Sequence, residues 1–218
     1  MMPRLQGNEK QKILVWDLPT RIFHWLLVAS FIVAYATSES EKLRDWHMVS
    51  GYLLAGLILF RIMWGFVGTK YARFLEFIRG PAAVLEYVNG LFSKESKHYI
   101  GHNPAGAVAI VLLLTCGLGM GITGWMLFND LGGSFVEQGH EALASIMVTI
   151  VIIHVCGVFL SSILHKENLI RAMLSGYKFG DKSLGIKRQH CFLGVLLFIG
   201  FIYAGYSLLS GNLPFLMP

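Results

Sequence analysis

The 218-residue sequence is poor in charge and has no cysteine motif. Charged residues make up 14% and hydrophobic residues 55% of the chain, and the mean hydropathy is +0.58. A soluble domain has about 25% charged residues, so this composition argues against one. Cys116, Cys156 and Cys191 form neither a C-x-x-C nor a C-x-x-C-H motif, which argues against a redox dithiol and against covalent c-type haem attachment.

Five apolar runs are long enough to cross a hydrocarbon core of about 30 Å as helices, which takes about 20 residues each. The predicted spans are residues 22–38, 47–67, 104–128, 140–164 and 191–210. The first twenty residues are mostly polar, and no A-x-A-like site follows the first run, so we expect a retained anchor rather than a cleaved leader. The sequence therefore predicts an all-α, multi-pass transmembrane helical bundle that forms a single membrane domain over residues 1–218.

The lysines and arginines predict the orientation of this bundle. Sixteen of them lie in alternate polar segments: the N-terminal segment, the second connection and the fourth loop. The first loop holds only Lys42 and Arg44, and the third loop and the C-terminal tail hold none. By the positive-inside rule we expect a cytoplasmic N-terminus and a C-terminus across the membrane. The net charge of +5 then reflects topology and does not indicate nucleic-acid binding.

Histidines inside or beside the spans are the main functional candidates, because an ionisable residue within a span costs free energy. The eight histidines are His24, His47, His98, His102, His140, His154, His165 and His190. His140 and His154 are fourteen residues apart. Helical geometry puts them within about 40° of one face and about 21 Å apart along the axis.

Counting residues from the span ends places four of the histidines in two pairs. His24 lies about 21 Å from the outer end of its span, at the level of His154. His47 and His140 each begin a span at the outer side. Two facing imidazoles are what a low-spin b-type haem requires, above and below the iron. The pairs His24/His154 and His47/His140 therefore predict two non-covalent haem b groups, with His24, His47, His140 and His154 as axial ligands of the iron.

Two other kinds of site remain open from the residues alone. A zinc or iron site is the first of them, but a structural zinc site gathers four ligands at one point, whereas these histidines lie at two levels. His165 is eleven residues after His154 and on the same face, so the fourth span carries a three-histidine stripe. A haem-free, histidine-lined proton or metal transporter is therefore an alternative.

Several motifs resemble those of the bacterial cytochrome b561 / nickel-dependent hydrogenase b-type cytochrome family. They are "VWDLPTRIFHW", "WHMVSGY", "YIGHNPAGA", "HKENLIRAM" and the His-x13-His spacing of the fourth span, and the resemblance covers about residues 13–178. It implies a four-helix diheme bundle in the bacterial inner membrane. The orientation predicted above puts the N-terminus in the cytoplasm and, because of the fifth span, the C-terminus in the periplasm. It also implies electron exchange between the quinone pool and a partner such as a hydrogenase or a periplasmic c-type cytochrome. The same four histidines match the family's axial-ligand positions.

The sequence departs from the short, four-helix members by a further apolar helix at about residues 190–210, whose role it does not define. We expect an electron-transfer subunit of a quinone-linked oxidoreductase rather than a stand-alone enzyme. A superoxide:quinone oxidoreductase is the alternative, although Lys42 and Arg44 offer little steering for an anion. Membrane lipid surrounds such a protein, and homodimer formation stays open.

Residues at the predicted inner boundary are candidates to contact the inner cofactor. We expect Arg21, Arg61, His102 or Lys166 to pair with the haem propionates there. His102 could instead replace His154 opposite His24, but Pro104 places it at a helix end, which favours a propionate or quinone contact.

Overall fold

All five apolar runs are helical in the computed structural model, which describes residues 11–91 and 97–211. In chain order the elements are β1 (Gln11–Leu14), α1 (Leu18–Thr37), α2 (Arg44–Val67), α3 (Phe74–Phe77), α4 (Pro81–Gly90), α5 (Pro104–Phe128), α6 (Gly133–Leu164), α7 (Leu169–Ser175), β2 (Tyr177–Gly180) and α8 (Cys191–Leu209). Helices α1, α2, α5, α6 and α8 are long and apolar enough to cross a membrane, which confirms the all-α, multi-pass prediction. The basic residues Arg4, Lys10 and Lys94, used for the orientation, lie outside the described residues.

Three helices begin earlier than predicted, and α2 does so by three residues, at Arg44 instead of residue 47. Helix α1 starts at Leu18 because the side chain of Asp17 caps it, accepting a hydrogen bond from the Thr20 amide at 2.7 Å. Helix α6 starts at Gly133, seven residues before the predicted start of the fourth span at His140, after Gly132 in a left-handed conformation. The prediction of a loop up to residue 139 was wrong, because helical hydrogen bonding continues on the N-terminal side of the most apolar residues. His140 therefore lies two turns inside α6.

The helices pack in two close pairs, α1 with α2 and α5 with α6. Helix α2 also packs on α5, where Gly117 faces Ile58 and Gly121 faces Ala55, so that the two backbones approach closely. Helix α8 lies against α1 and α2. In contrast, α1 and α6 make few close backbone approaches. The two helix pairs are therefore joined on one side, through α2 and α5, and separated on the side where α1 and α6 face each other.

A two-stranded antiparallel sheet closes one end of the bundle, from Gln11 opposite Gly180 to Leu14 opposite Tyr177. We call this the sheet end, and the opposite end the far end. Beside the sheet, Ile13, Val15, Trp16 and Ala172 form a buried hydrophobic cluster. The sequence analysis did not predict these strands, because each has only four residues and its partner lies more than 160 positions away along the chain.

Gly176 joins α7 to β2 in a tight turn at the sheet end. It has a φ of +88°, and its carbonyl accepts hydrogen bonds from the amides of Val15 at 2.8 Å and Trp16 at 3.0 Å. A Cβ at this position would lie 2.8 Å from the Trp16 carbonyl oxygen.

We predict that Gly176→Ala destabilises the protein by about 1–2 kcal/mol, because an L-residue in the left-handed region costs that much before any clash. Its thermal unfolding midpoint in detergent should fall below that of the wild type. Gly200→Ala is the control, since a Cβ there meets nothing within 4 Å and alanine favours helix. Equal midpoints for the two variants would contradict the role given to this turn.

Candidate functional site

The far end brings His47 of α2 and His140 of α6 together. Their ring centres are 6.4 Å apart, and the ring planes lie at 72° to each other. Two metal–nitrogen bonds of about 2 Å, together with the distance from each nitrogen to its ring centre, also add to about 6 Å. The separation of the two imidazoles therefore fits one metal ion held between them.

Each of these imidazoles is oriented through its Nδ1 atom. His47 Nδ1 lies 2.8 Å from the carbonyl oxygen of Ala34 in α1, so it donates a hydrogen bond there. His140 Nδ1 lies 2.8 Å from the Oγ1 of Thr123, whose hydroxyl donates to the Gly119 carbonyl at 2.9 Å and so accepts from the ring. Both rings then carry the proton on Nδ1 and leave Nε2 as the atom able to bind a metal.

At the sheet end, three histidines come from three different elements. His24 of α1 interacts electrostatically with His154 of α6, and His102, just before α5, interacts with both. The Nδ1 atoms of His24 and His102 are buried, and neither has a hydrogen-bond partner among the described residues. Buried polar atoms without partners are rare, so the inner histidines have room for a group that supplies polar or metal contacts.

His102 is held between two aromatic rings. The ring centres of Trp16 and Phe77 each lie 4.6 Å from the centre of the His102 ring. Burial, and to a smaller extent the nearby Arg61 guanidinium, lowers the pKa of His102 to about 3, so the ring is neutral at physiological pH. His102 is thus a rigid, neutral member of the inner group.

Arg61 supplies a buried positive charge beside the inner histidines. The sequence analysis counted it with the second connection, but the structure places it inside α2, where the residue is only 3% exposed. Its guanidinium lies over the rings of Phe74 and Phe77, at 5.1 Å and 5.8 Å. Neither of its terminal nitrogens has a hydrogen-bond partner in the described part of the chain. Five N–H donors in a buried site favour an anionic ligand.

The other two cationic candidates lie elsewhere. Arg21 donates from its guanidinium to the Leu174 carbonyl of α7, which ties the start of α1 to the sheet end. Lys166 is exposed in a left-handed turn after α6, and it is not among the residues that interact electrostatically with the inner histidines. The structure therefore brings Arg61 and His102 to the inner group, but it does not bring Lys166 there.

Asp17, which the sequence analysis did not single out, positions this inner group. Its carboxylate is fully buried and accepts hydrogen bonds from the Thr20 amide, from Trp64 Nε1 at 3.2 Å and from the Thr69 hydroxyl. It also interacts electrostatically with Arg61. The aspartate that caps the helix of His24 thus also holds the end of α2. An Asp one residue before "LP" was the available signal, since it is a typical helix start.

Open space borders one histidine of each pair. A Cβ built at Gly51 or at Gly157 would meet nothing within 4 Å. Gly51 is one turn after His47, and Gly157 is three residues after His154. A flat group could therefore approach the backbone at either glycine.

The fold and the site define the class of protein: a multi-pass helical membrane protein with paired, partly buried histidines near both ends. Residues 15–176 match the family described as prokaryotic cytochrome b561, and the chain belongs to that family. It is accordingly a membrane b-type cytochrome that works in electron transfer, and its cofactor is haem b.

Curated relatives carry a consistent description. A probable Ni/Fe-hydrogenase B-type cytochrome subunit of Rhizobium leguminosarum bv. viciae is 23% identical, over 80% of this chain and 92% of the relative. A protein of the same description from Azotobacter chroococcum mcd 1 is 27% identical, over 79% and 92%. The probable Ni/Fe-hydrogenase 1 B-type cytochrome subunit of Escherichia coli K12 is 25% identical, over 78% and 93%. No solved structure matches the chain.

We predict that Asp17→Ala destabilises the protein by about 3 kcal/mol, because it removes a helix cap and leaves buried donors unpaired. The matched control is Asn168→Ala, which removes the exposed cap of α7, a hydrogen bond of 2.7 Å to the Arg171 amide, and should cost about 1 kcal/mol or less. Thermal or denaturant unfolding in detergent measures both variants. A loss no larger than that of the control would contradict the role given to Asp17.

Proposed function

We propose that this chain is a diheme b-type cytochrome that transfers electrons between the membrane quinone pool and a partner redox protein. The observation that carries the proposal is the far-end pair. His47 and His140 face each other at a separation that suits one iron, and each already has its Nδ1 atom engaged. A proton relay would not require both rings to be held by Nδ1 hydrogen bonds at the separation that suits one metal ion.

The inner haem is assigned to His24 and His154. These residues lie on α1 and α6, which make few close backbone approaches, and the Nδ1 atom of His24 is buried without a hydrogen-bond partner among the described residues. Arg61 and His102 stand beside them with unused donor atoms, and so they suit the haem propionates. Arg21 contributes by fixing the start of α1, and Lys166 would reach a propionate only by turning inward from its exposed position.

Helix α6 carries one ligand of each pair and thereby sets the electron path. Its fourteen-residue spacing separates the two ligand levels by about 21 Å. When bound, haem supplies one-electron chemistry at iron, while the protein supplies axial ligands, orientation and electrostatics.

The partner proposed is a hydrogenase, because the relatives described above are named as hydrogenase cytochrome subunits. A periplasmic c-type cytochrome is the other partner that this function allows. We place the sheet end on the cytoplasmic side of a bacterial inner membrane and the far end on the periplasmic side. The basic loops of the sequence support this orientation. A quinone would then exchange electrons at one level and the partner at the other.

Reduced-minus-oxidised absorption spectra and haem stoichiometry of the purified protein test the proposal. We expect two haem b groups per chain in the wild type. His24→Ala and His154→Ala should each remove the same inner haem, and His47→Ala and His140→Ala should each remove the outer one, because a low-spin haem needs both axial ligands. His190→Asn is the control, since His190 lies outside both pairs and its left-handed φ of +51° suits asparagine.

Two results would overturn these assignments. If the purified protein shows no b-type absorption difference, the diheme function is lost. If His102→Ala removes the inner haem while His154→Ala retains it, His102 takes the place of His154 as ligand.

Arg61→Gln gives a separate prediction about the inner haem. Removing a buried positive charge stabilises the ferric form, so the inner midpoint potential should fall by on the order of 60 mV, or about 1.4 kcal/mol. Arg73→Gln is the control, because Arg73 forms an exposed ion pair with Glu76 at 3.0 Å. Redox titration followed by absorbance measures both haems in each variant. An unchanged inner potential in Arg61→Gln would remove Arg61 from the site.

A further inference from the structure

A second polar cluster lies at the sheet end, beside the inner histidine group. Glu167, in the turn between α6 and α7, accepts a hydrogen bond from His98 Nε2 at 2.9 Å and one from Lys178 Nζ at 2.8 Å. The Lys178 side chain is only 4% exposed and also donates to the carbonyls of Tyr99 and Ile100. The cluster thus joins β2, the end of α6 and the segment that leads into α5.

Two imidazoles face each other within this cluster. The ring centres of His98 and His165 are 5.3 Å apart, at 70°. The carboxylate of Glu167 fixes the Nε2–H of His98, which leaves His98 Nδ1 as an acceptor. If the cluster were only a structural clamp that holds these segments together, the ion pair between Glu167 and Lys178 would be enough. His98 adds one hydrogen bond to such a clamp, but a second imidazole facing it works against the clamp, because the two rings repel each other when both are protonated.

The cluster encloses a small cavity of about 30 Å³. Its walls include Tyr87, His98, Ser161, His165, Glu167 and Lys178. Ligand pockets hold about 300–1,000 Å³, so a quinone head group does not fit this cavity. Water takes about 30 Å³ and needs two to four polar partners, which these side chains provide. The cavity therefore suits a water molecule rather than a substrate.

The cavity adjoins the inner histidine group. Gly101 and Asn103, the two neighbours of His102, also line it. Ser161 lies seven residues after His154 on α6, so two helical turns separate the cavity from the proposed inner ligand. A proton held here is close to the level of the inner haem and also close to the solvent-exposed loops of the sheet end.

The charges of the cluster are balanced and leave a neutral imidazole beside them. Burial alone would raise the pKa of Glu167, but its hydrogen bonds with His98 and Lys178 outweigh burial and lower that pKa to about 2. Glu167 therefore stays anionic and balances Lys178. Burial, and then the neighbouring His98, lowers the pKa of His165, so its ring is a neutral acceptor. The groups facing His98 are Glu167, His165, Lys178 and, from α4, Tyr87.

We propose that His98 and His165, with a water in this cavity, are the proton-exchange site for quinone chemistry at the sheet end. The inference rests on the proposed function, in which a quinone takes two electrons by way of the haems. Quinone, two electrons and two protons give quinol, and quinol oxidation releases the same protons. Each histidine accepts a proton from cytoplasmic water and passes it through the cavity towards the quinone oxygen, or the reverse, and regains its starting charge.

The test compares two ways of reducing the haems in the full-length, haem-loaded protein in lipid nanodiscs. A short-chain ubiquinol delivers electrons with release of protons, whereas dithionite delivers electrons alone. The variants are His98→Gln, His165→Gln and the double variant, since glutamine retains a hydrogen-bonding side chain without a titratable ring. Glu86→Gln is the matched control, because Glu86 forms an exposed ion pair with Lys97 at 2.6 Å in the same region.

We expect quinol-driven haem reduction in the double variant to slow by at least about tenfold, the low side of what a positioned acid–base group contributes. Its pH profile should flatten and its solvent deuterium isotope effect should rise. Haem content, haem spectra and the rate with dithionite should match the wild type. The Glu86→Gln control should match the wild type in every measurement.

The remaining outcomes separate the proposed proton-exchange site, called the relay from here on, from the proposed function. If quinol rates in the variants equal those of the wild type, the relay is wrong while the quinone function stands. If quinol and dithionite rates fall together, the histidines are structural and the relay is again wrong. If the wild type is reduced by dithionite but not by quinol, the quinone function itself fails and the relay fails with it. Should the double variant lose haem, the same comparison is made on each single variant.

Discussion

A buried imidazole needs a partner for each of its nitrogens, and the arrangement of the bundle follows from that requirement. His47 reaches the Ala34 carbonyl of α1, and His140 reaches Thr123 of α5. Each hydrogen bond uses Nδ1 and leaves Nε2 as the nitrogen able to bind a metal. The far-end site therefore draws on all four helices, and displacing any one of them would disturb it.

The same requirement explains why the bundle packs unevenly. Close contact between α2 and α5, at Gly117 and Gly121, holds the two helix pairs together on one side. On the other side α1 and α6 stay apart, and His24 and His154 lie on those two helices. A better-packed α1–α6 interface would be more stable as a bundle, but it would leave no room for a cofactor beside the inner histidines. Asp17 and Arg61 form a buried polar group that holds this inner end without filling it.

Much of this could be predicted because the relevant patterns are local. A run of apolar residues predicts a span, and fourteen residues at 100° each put His140 and His154 on one face. The motifs around His24 and His47 carry the family resemblance, and the match over residues 15–176 confirms the family. The start of α6 was mispredicted because hydropathy marks the membrane-crossing residues. The helix itself extends further towards its N-terminus and begins at Gly133, next to the left-handed Gly132.

The contacts that define the ends of the bundle could not be predicted from local patterns. His102 lies between Trp16 and Phe77, and Asp17 binds Trp64, pairs that are far apart along the chain. By itself the sequence determined the helices, the spacing of the histidines and the charge of the loops, because periodicity and hydropathy are properties of neighbouring residues. The tertiary structure alone decided that Arg61 is buried, that Lys166 is exposed and that His98 meets Glu167 and Lys178. Those outcomes depend on how the helices are rotated and packed, which no local pattern encodes.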